Sequence, residues 1–163
     1  MEIEASQQIN APAEAVWEII TDLPRSPEVI SAISSIEVLS EPGPFRVGTR
    51  WRETRTMFGR EATEVMEVSS LVPGTSYTTV AASHGAHYES TMSVTEDGPG
   101  TCTLRMTFRG EPTTTAGRLM SATLGRLFTG ATRRAVIQDL SDIALAAESD
   151  EGPAESGGRP AGP

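Results

Sequence analysis

From Thr113 to Glu148 the chain spells one long amphipathic helix, and that stretch dictates what everything before it must become. Met120, Leu124, Leu127, Ala131, Val136, Leu140, Ile143 and Ala147 recur at helical steps, while Arg118, Arg126, Arg133, Arg134, Asp139 and Asp142 fill most of the remaining arc. Thr113, Thr114 and Thr115 offer hydroxyls as N-cap acceptors, and Pro112 ends the strand before them. Gly125 and Gly130 each weaken the middle by about 1 kcal/mol relative to alanine, which predicts a kink or a close approach to the backbone. A helix with one wide apolar face needs a large concave partner.

The preceding chain supplies a sheet. Ile3, Ala5, Gln7 and Ile9 alternate with polar neighbours as a first strand. Asn10-Ala11-Pro12 stops it and opens a helix, with Asn10 or Ala11 as cap, Pro12 in the first turn, and Val16, Trp17, Ile19, Ile20 and Leu23 as buried stripe. Pro24 and Pro27 end that helix, and Glu28 to Ile33 reads as a second short one. A strand begins over Ile36 to Leu39. Turn signals then punctuate a meander: a hairpin over Val47 to Leu71, and strands over Tyr77 to Ala82, Tyr88 to Thr95 and Thr101 to Arg109. The expected order is strand, two helices, six antiparallel strands and the long helix. Length sets one domain, 1–148, followed by an acidic tail rich in glycine and proline, 149–163, expected to be disordered.

Composition closes several routes. The net charge is −9, and the body stays acidic without the tail, which argues against phosphate backbones and anionic lipid surfaces as partners. All 13 basic residues are arginine, so Schiff-base and P-loop lysine chemistry are excluded. The one cysteine, Cys102, allows no intrachain disulfide. No apolar run reaches membrane-span length, and the first residues lack a signal-peptide pattern, so a cytoplasmic protein without membrane insertion is expected. His84 and His87 flank a turn but fall short of a zinc ligand set, so no metal is expected. Oligomeric state is left open, with a monomer favoured.

The hairpin at Phe58-Gly59 holds the chemistry. Pairing Met57 with Arg60 sets Glu53 opposite Glu64 and Trp51 opposite Met66, turning Trp51, Glu53, Arg55, Met57, Ala62, Glu64, Met66 and Val68 inward. A turn longer by one residue breaks the Glu53 and Glu64 pairing. Two opposed glutamates cannot both be neutralised by one arginine, so one of them should have a raised pKa. Such a trio is either an internal ion-pair network or an acid/base site. Tyr88, Ser90 and Met92 share an inward face, as do Met106 and Phe108 on the last strand, and Met120, Leu124 and Leu127 on the helix. Thioethers at Met57, Met66, Met92, Met106 and Met120 suit a cavity that adapts to its guest.

The segments INAPAEAVWEIITD, VGTRWRETRTMFGREATEVMEV and GAHYESTMSV, in this order of elements, resemble the START-like or SRPBCC superfamily and its polyketide cyclase/dehydrase branch. The resemblance implies an α+β helix-grip fold, a curved seven-stranded antiparallel sheet around the C-terminal helix, with a cavity between the two. The function it implies is binding of a small, mostly apolar molecule, polycyclic or lipid-like. The alternatives are a cofactor-independent cyclase/dehydrase using Glu53, Glu64 and Arg55, and an interaction module with a vestigial cavity. None of the three needs a cofactor.

Overall fold

The computed structural model describes residues 1–150 apart from His84, with the side chains of residues 120–124 left aside. Strands β1 (Glu2–Ile9), β2 (Ile33–Val38), β3 (Arg50–Met57), β4 (Arg60–Val72), β5 (Ser76–Ser83), β6 (Ala86–Gly98) and β7 (Thr101–Pro112) form one sheet in the order β1-β7-β6-β5-β4-β3-β2. Every neighbouring pair is antiparallel. Helices α1 (Ala13–Thr21) and α2 (Ser26–Val29) carry the chain from one sheet edge to the other, and α3 (Thr115–Asp150) follows β7. This is the helix-grip architecture.

Local chemistry adjusts several expected boundaries. The cap of α1 is Pro12, whose carbonyl accepts from the Val16 amide without any side-chain cap bond, so neither Asn10 nor Ala11 serves. The second helix is Ser26–Val29, not 28–33, because Pro27 suits its first turn while Ile33 is buried as the first residue of β2. Thr114 caps α3, its hydroxyl accepting from the Gly117 amide at 3.1 Å. The helix runs unbroken to Asp150, which pairs with Arg25; residues 151–163, most of the expected tail, lie outside the described residues. No side chain or foreign backbone comes within contact of a methyl at Gly125, and at Gly130 only the Arg134 guanidinium does.

The core is asymmetric. Val16, Ile19 and Ile20 of α1 meet Val94, Cys102 and Leu104 of the sheet and Val136, Leu140, Ile143, Ala144 and Ala147 of α3 in one sealed cluster. Among the described side chains, only those of the C-terminal half of α3 are gripped this way. Its inner stripe runs Thr132, Val136, Asp139, Leu140, Ile143, Ala144 and Ala147, whereas Leu127 stands 76% exposed. The expected stripe loses phase at the five-residue step from Ala131 to Val136, so Leu127 stands on the other side of the helix from Val136, Leu140 and Ile143. Asn10 and Ser31 tie the gripped half down, donating to Glu148 and Asp142 respectively.

Candidate functional site

Phe58 and Gly59 both have positive φ, 52° and 74°, which makes a two-residue turn of the type that matches strand twist. That turn sets the register: Trp51 faces Met66, Glu53 faces Glu64, Arg55 faces Ala62 and Met57 faces Arg60. On the outer face Thr54 and Thr63 share a 2.9 Å hydrogen bond. The inward set is the one the alternation predicts. Rows then cross the sheet, Met66, Ala81, Tyr88 and Gly110 in one, Val68, Thr79, Ser90 and Phe108 in the next. At Gly110 an added Cβ would come within 3.3 Å of the Tyr88 ring, so the missing side chain lets that ring lie over β7 and stack on Phe108 at 5.7 Å.

Burial grades along this face. Trp51, Ser90 and Met92 are buried, but Glu53, Arg55, Met57, Glu64, Met66, Tyr88, Met106 and Phe108 are only half-buried although they face inward. Leu127 is exposed and takes no part in the wall, a departure from its expected place on the inner stripe. Leu127 precedes Val136 by nine residues, half a turn out of phase at about 100° per residue, so it lies on the side of α3 that faces away from the sheet. Met120 and Leu124 lie outside the described side chains, and His84 outside the described residues. A groove of about 600 Å³ lies elsewhere, between the end of α1 and the β2–β3 loop. Phe45 separates it from the inner face by packing on Trp51 and Tyr77.

Asp139 is the member of the site that sequence reasoning misses. Spacing puts it on the polar arc of α3, yet it is 6% exposed and faces the sheet. Arg55 Nη2 donates to both of its oxygens at 2.9 and 2.7 Å, while Arg55 Nη1 lies 3.6 Å from Glu53. Trp51 Nε1 donates to Glu53 at 3.3 Å. Among the described residues, the buried Arg55 Nε has no hydrogen-bond partner. A signal is present: Asp139 sits three residues after Val136 and four before Ile143, inside the buried spacing.

One guanidinium thus serves the buried Asp139 and the partly buried Glu53. Burial pushes Glu53 above the ordinary glutamate range, against the opposing charge of Arg55 and the Trp51 bond. Burial likewise raises Asp139, again opposed by Arg55. Burial works against the Arg55 charge, but Asp139 and Glu53 outweigh it and hold Arg55 above its usual value. Because the short bonds go to Asp139, Glu53 is the carboxyl that takes a proton first. Between the ordinary glutamate range and that raised value, the folded state holds a proton the unfolded state has released, so stability falls as pH rises through this interval. Melting temperature followed across it should decline with rising pH, and Glu53→Gln should flatten the decline; an unchanged slope would remove Glu53 as its source. Tyr88, farther along the face, is also raised, by burial and then by the charge of Glu64.

Solved structures share this fold. An aromatase/cyclase from Streptomyces sp. R1128 superposes with a TM-score of 0.80 at 18% identity, covering 98% of this chain and 99% of its own. A protein from Thermus thermophilus gives 0.77 at 19%, covering 93% and 100%, and a START superfamily protein from Mycobacterium smegmatis gives 0.76 at 14%, covering 91% and 97%. Among curated proteins no sequence matches. The family described as polyketide cyclase / dehydrase and lipid transport matches residues 1–143, and the chain belongs to that family.

Proposed function

We propose that this domain binds a small, mostly apolar molecule, polycyclic or lipid-like, between the concave face of the sheet and the first half of α3. The observation that carries the reading is the half-burial of Met57, Met66, Met106, Tyr88 and Phe108 on a face that points inward. In a dry core such side chains are sealed, as Leu104 and Leu140 are at the other end. Beside them the Arg55 guanidinium offers a buried Nε–H that a guest oxygen can accept. A guest with one carbonyl or hydroxyl on an otherwise apolar frame satisfies both features.

A second reading, cyclase/dehydrase chemistry, is favoured by one observation: Glu53 has a carboxyl displaced toward neutrality beside a fixed cation. In that role Glu53 exchanges a proton with a carbon next to a carbonyl, and Arg55 holds the enolate oxygen. The aromatase/cyclase from Streptomyces sp. R1128 lends this reading its precedent on the same fold. The two readings separate on Glu53→Gln, with affinity taken from titration of a polycyclic ketone and turnover from product formation. An enzyme loses at least about a hundredfold in turnover while affinity stays within about tenfold. A carrier changes only in affinity, and a protein that binds no member of a polyketide, steroid, fatty-acid and quinone panel contradicts both.

A further inference from the structure

The acidic net charge conceals a segregation that the fold turns into a surface. From Pro112 to Gln138 there is no acidic residue, and Arg118, Arg126, Arg133 and Arg134 all fall within it, in a chain whose net charge is −9. The other surface arginines are largely neutralised: Arg25, Arg50, Arg52, Arg105 and Arg109 each meet a carboxylate. Among the described residues Arg126, Arg133 and Arg134 meet none, and all three are exposed. At about 100° per residue, Arg133, Arg126, Leu119, Arg134 and Leu127 share about a third of the helix circumference.

Two exposed leucines stand on that arc, Leu119 at 72% and Leu127 at 76%, whereas Phe128, half a turn from Leu119, turns to the hairpin tip with its ring 5.3 Å from that of Phe58. A depression of about 410 Å³ opens at the start of α3 between Thr115, Ala116, Arg118 and Leu119. Exposed leucine interleaved with arginine on one face, free of acids, suits contact with an anionic bilayer surface. No helix among the described residues is long and apolar enough to cross a membrane, so the contact is peripheral.

We propose that the outer face of the first half of α3, through Arg126, Arg133 and Arg134 with Leu119 and Leu127, docks on an anionic lipid bilayer. Arginine headgroups meet lipid phosphates while Leu119 and Leu127 reach the acyl boundary, and the acidic remainder of the molecule turns away. The purpose of such docking, collecting or delivering an apolar guest where it is soluble, rests on the function proposed above; the docking itself does not.

The test is sedimentation of the full chain with vesicles of phosphatidylcholine and phosphatidylglycerol in equal parts, and with phosphatidylcholine alone. The expected result is pelleting with the anionic vesicles only, weakening as salt is raised. The triple variant Arg126→Glu, Arg133→Glu, Arg134→Glu should bind at least about tenfold less, since each arginine near such a surface adds to the attraction. Leu127→Ser should bind several-fold less, and melting curves establish that both variants fold. No pelleting at low salt, or equal pelleting of the triple variant, overturns the proposal. So does a dimer, formed without vesicles and abolished by the same charges, since the face then belongs to a second copy. Pelleting without guest binding leaves docking intact and removes the cavity reading; guest binding without pelleting does the reverse.

Discussion

Asp139→Ala should cost about 3 kcal/mol of stability, because it leaves the Arg55 guanidinium inside the protein without its two short bonds. The loss falls short of a fully orphaned charge, since Glu53 remains 3.6 Å from Arg55. Glu53 would then be the sole close counter-charge and should titrate closer to its ordinary value, so the decline of stability with rising pH should shrink in the same variant. Replacing both partners together, Arg55→Met with Asp139→Leu, should recover most of the stability, since a well-packed apolar pair is often no less stable than a buried ion pair. Chemical denaturation of the three proteins measures this. A loss below about 1 kcal/mol for Asp139→Ala would mean that the pair is solvated as a surface bridge is.

Leu140→Ala should cost about 3 kcal/mol, a value in the middle of the range for core leucines that leave a cavity. Leu140 is 1% exposed and lies among Val16, Ile143 and Val136, where α1, the sheet and α3 meet. Leu145, one helical turn further on, faces solvent, and Leu145→Ala should change stability by less than about 0.5 kcal/mol. The contrast tests the gripped half of α3. Equal costs at the two sites would contradict the packing described.

Much of this architecture can be read from residues alone, for physical reasons. Strand alternation and a two-residue turn leave a hairpin few choices, so the pairing of Glu53 with Glu64 follows by counting from Met57 and Arg60. Glu53 is raised, but chiefly by its burial, with the like charges of Asp139 and Glu64 adding less. The apolar step of the long helix loses phase between Ala131 and Val136, and Leu127, half a turn from Val136, faces solvent. Asp139 lies in phase with Val136 and Ile143, but the partner that explains a charge there, Arg55, lies far away in sequence. The short helix after Pro24 is displaced from its expected place because Pro27 is as good at a helix start as at a helix end. Net charge is likewise an average, blind to arginines concentrated on one half of α3.

The central claim is that the space between the sheet and the first half of α3 holds an apolar guest. Native mass spectrometry of freshly purified protein, set against the same sample denatured, tests it most directly. The account predicts a defined extra mass in the native spectrum that is released on denaturation, or, after stripping, one restored by a polycyclic or lipid-like compound. A bare native mass that no member of the panel alters, with no compound shifting the melting temperature, would contradict it.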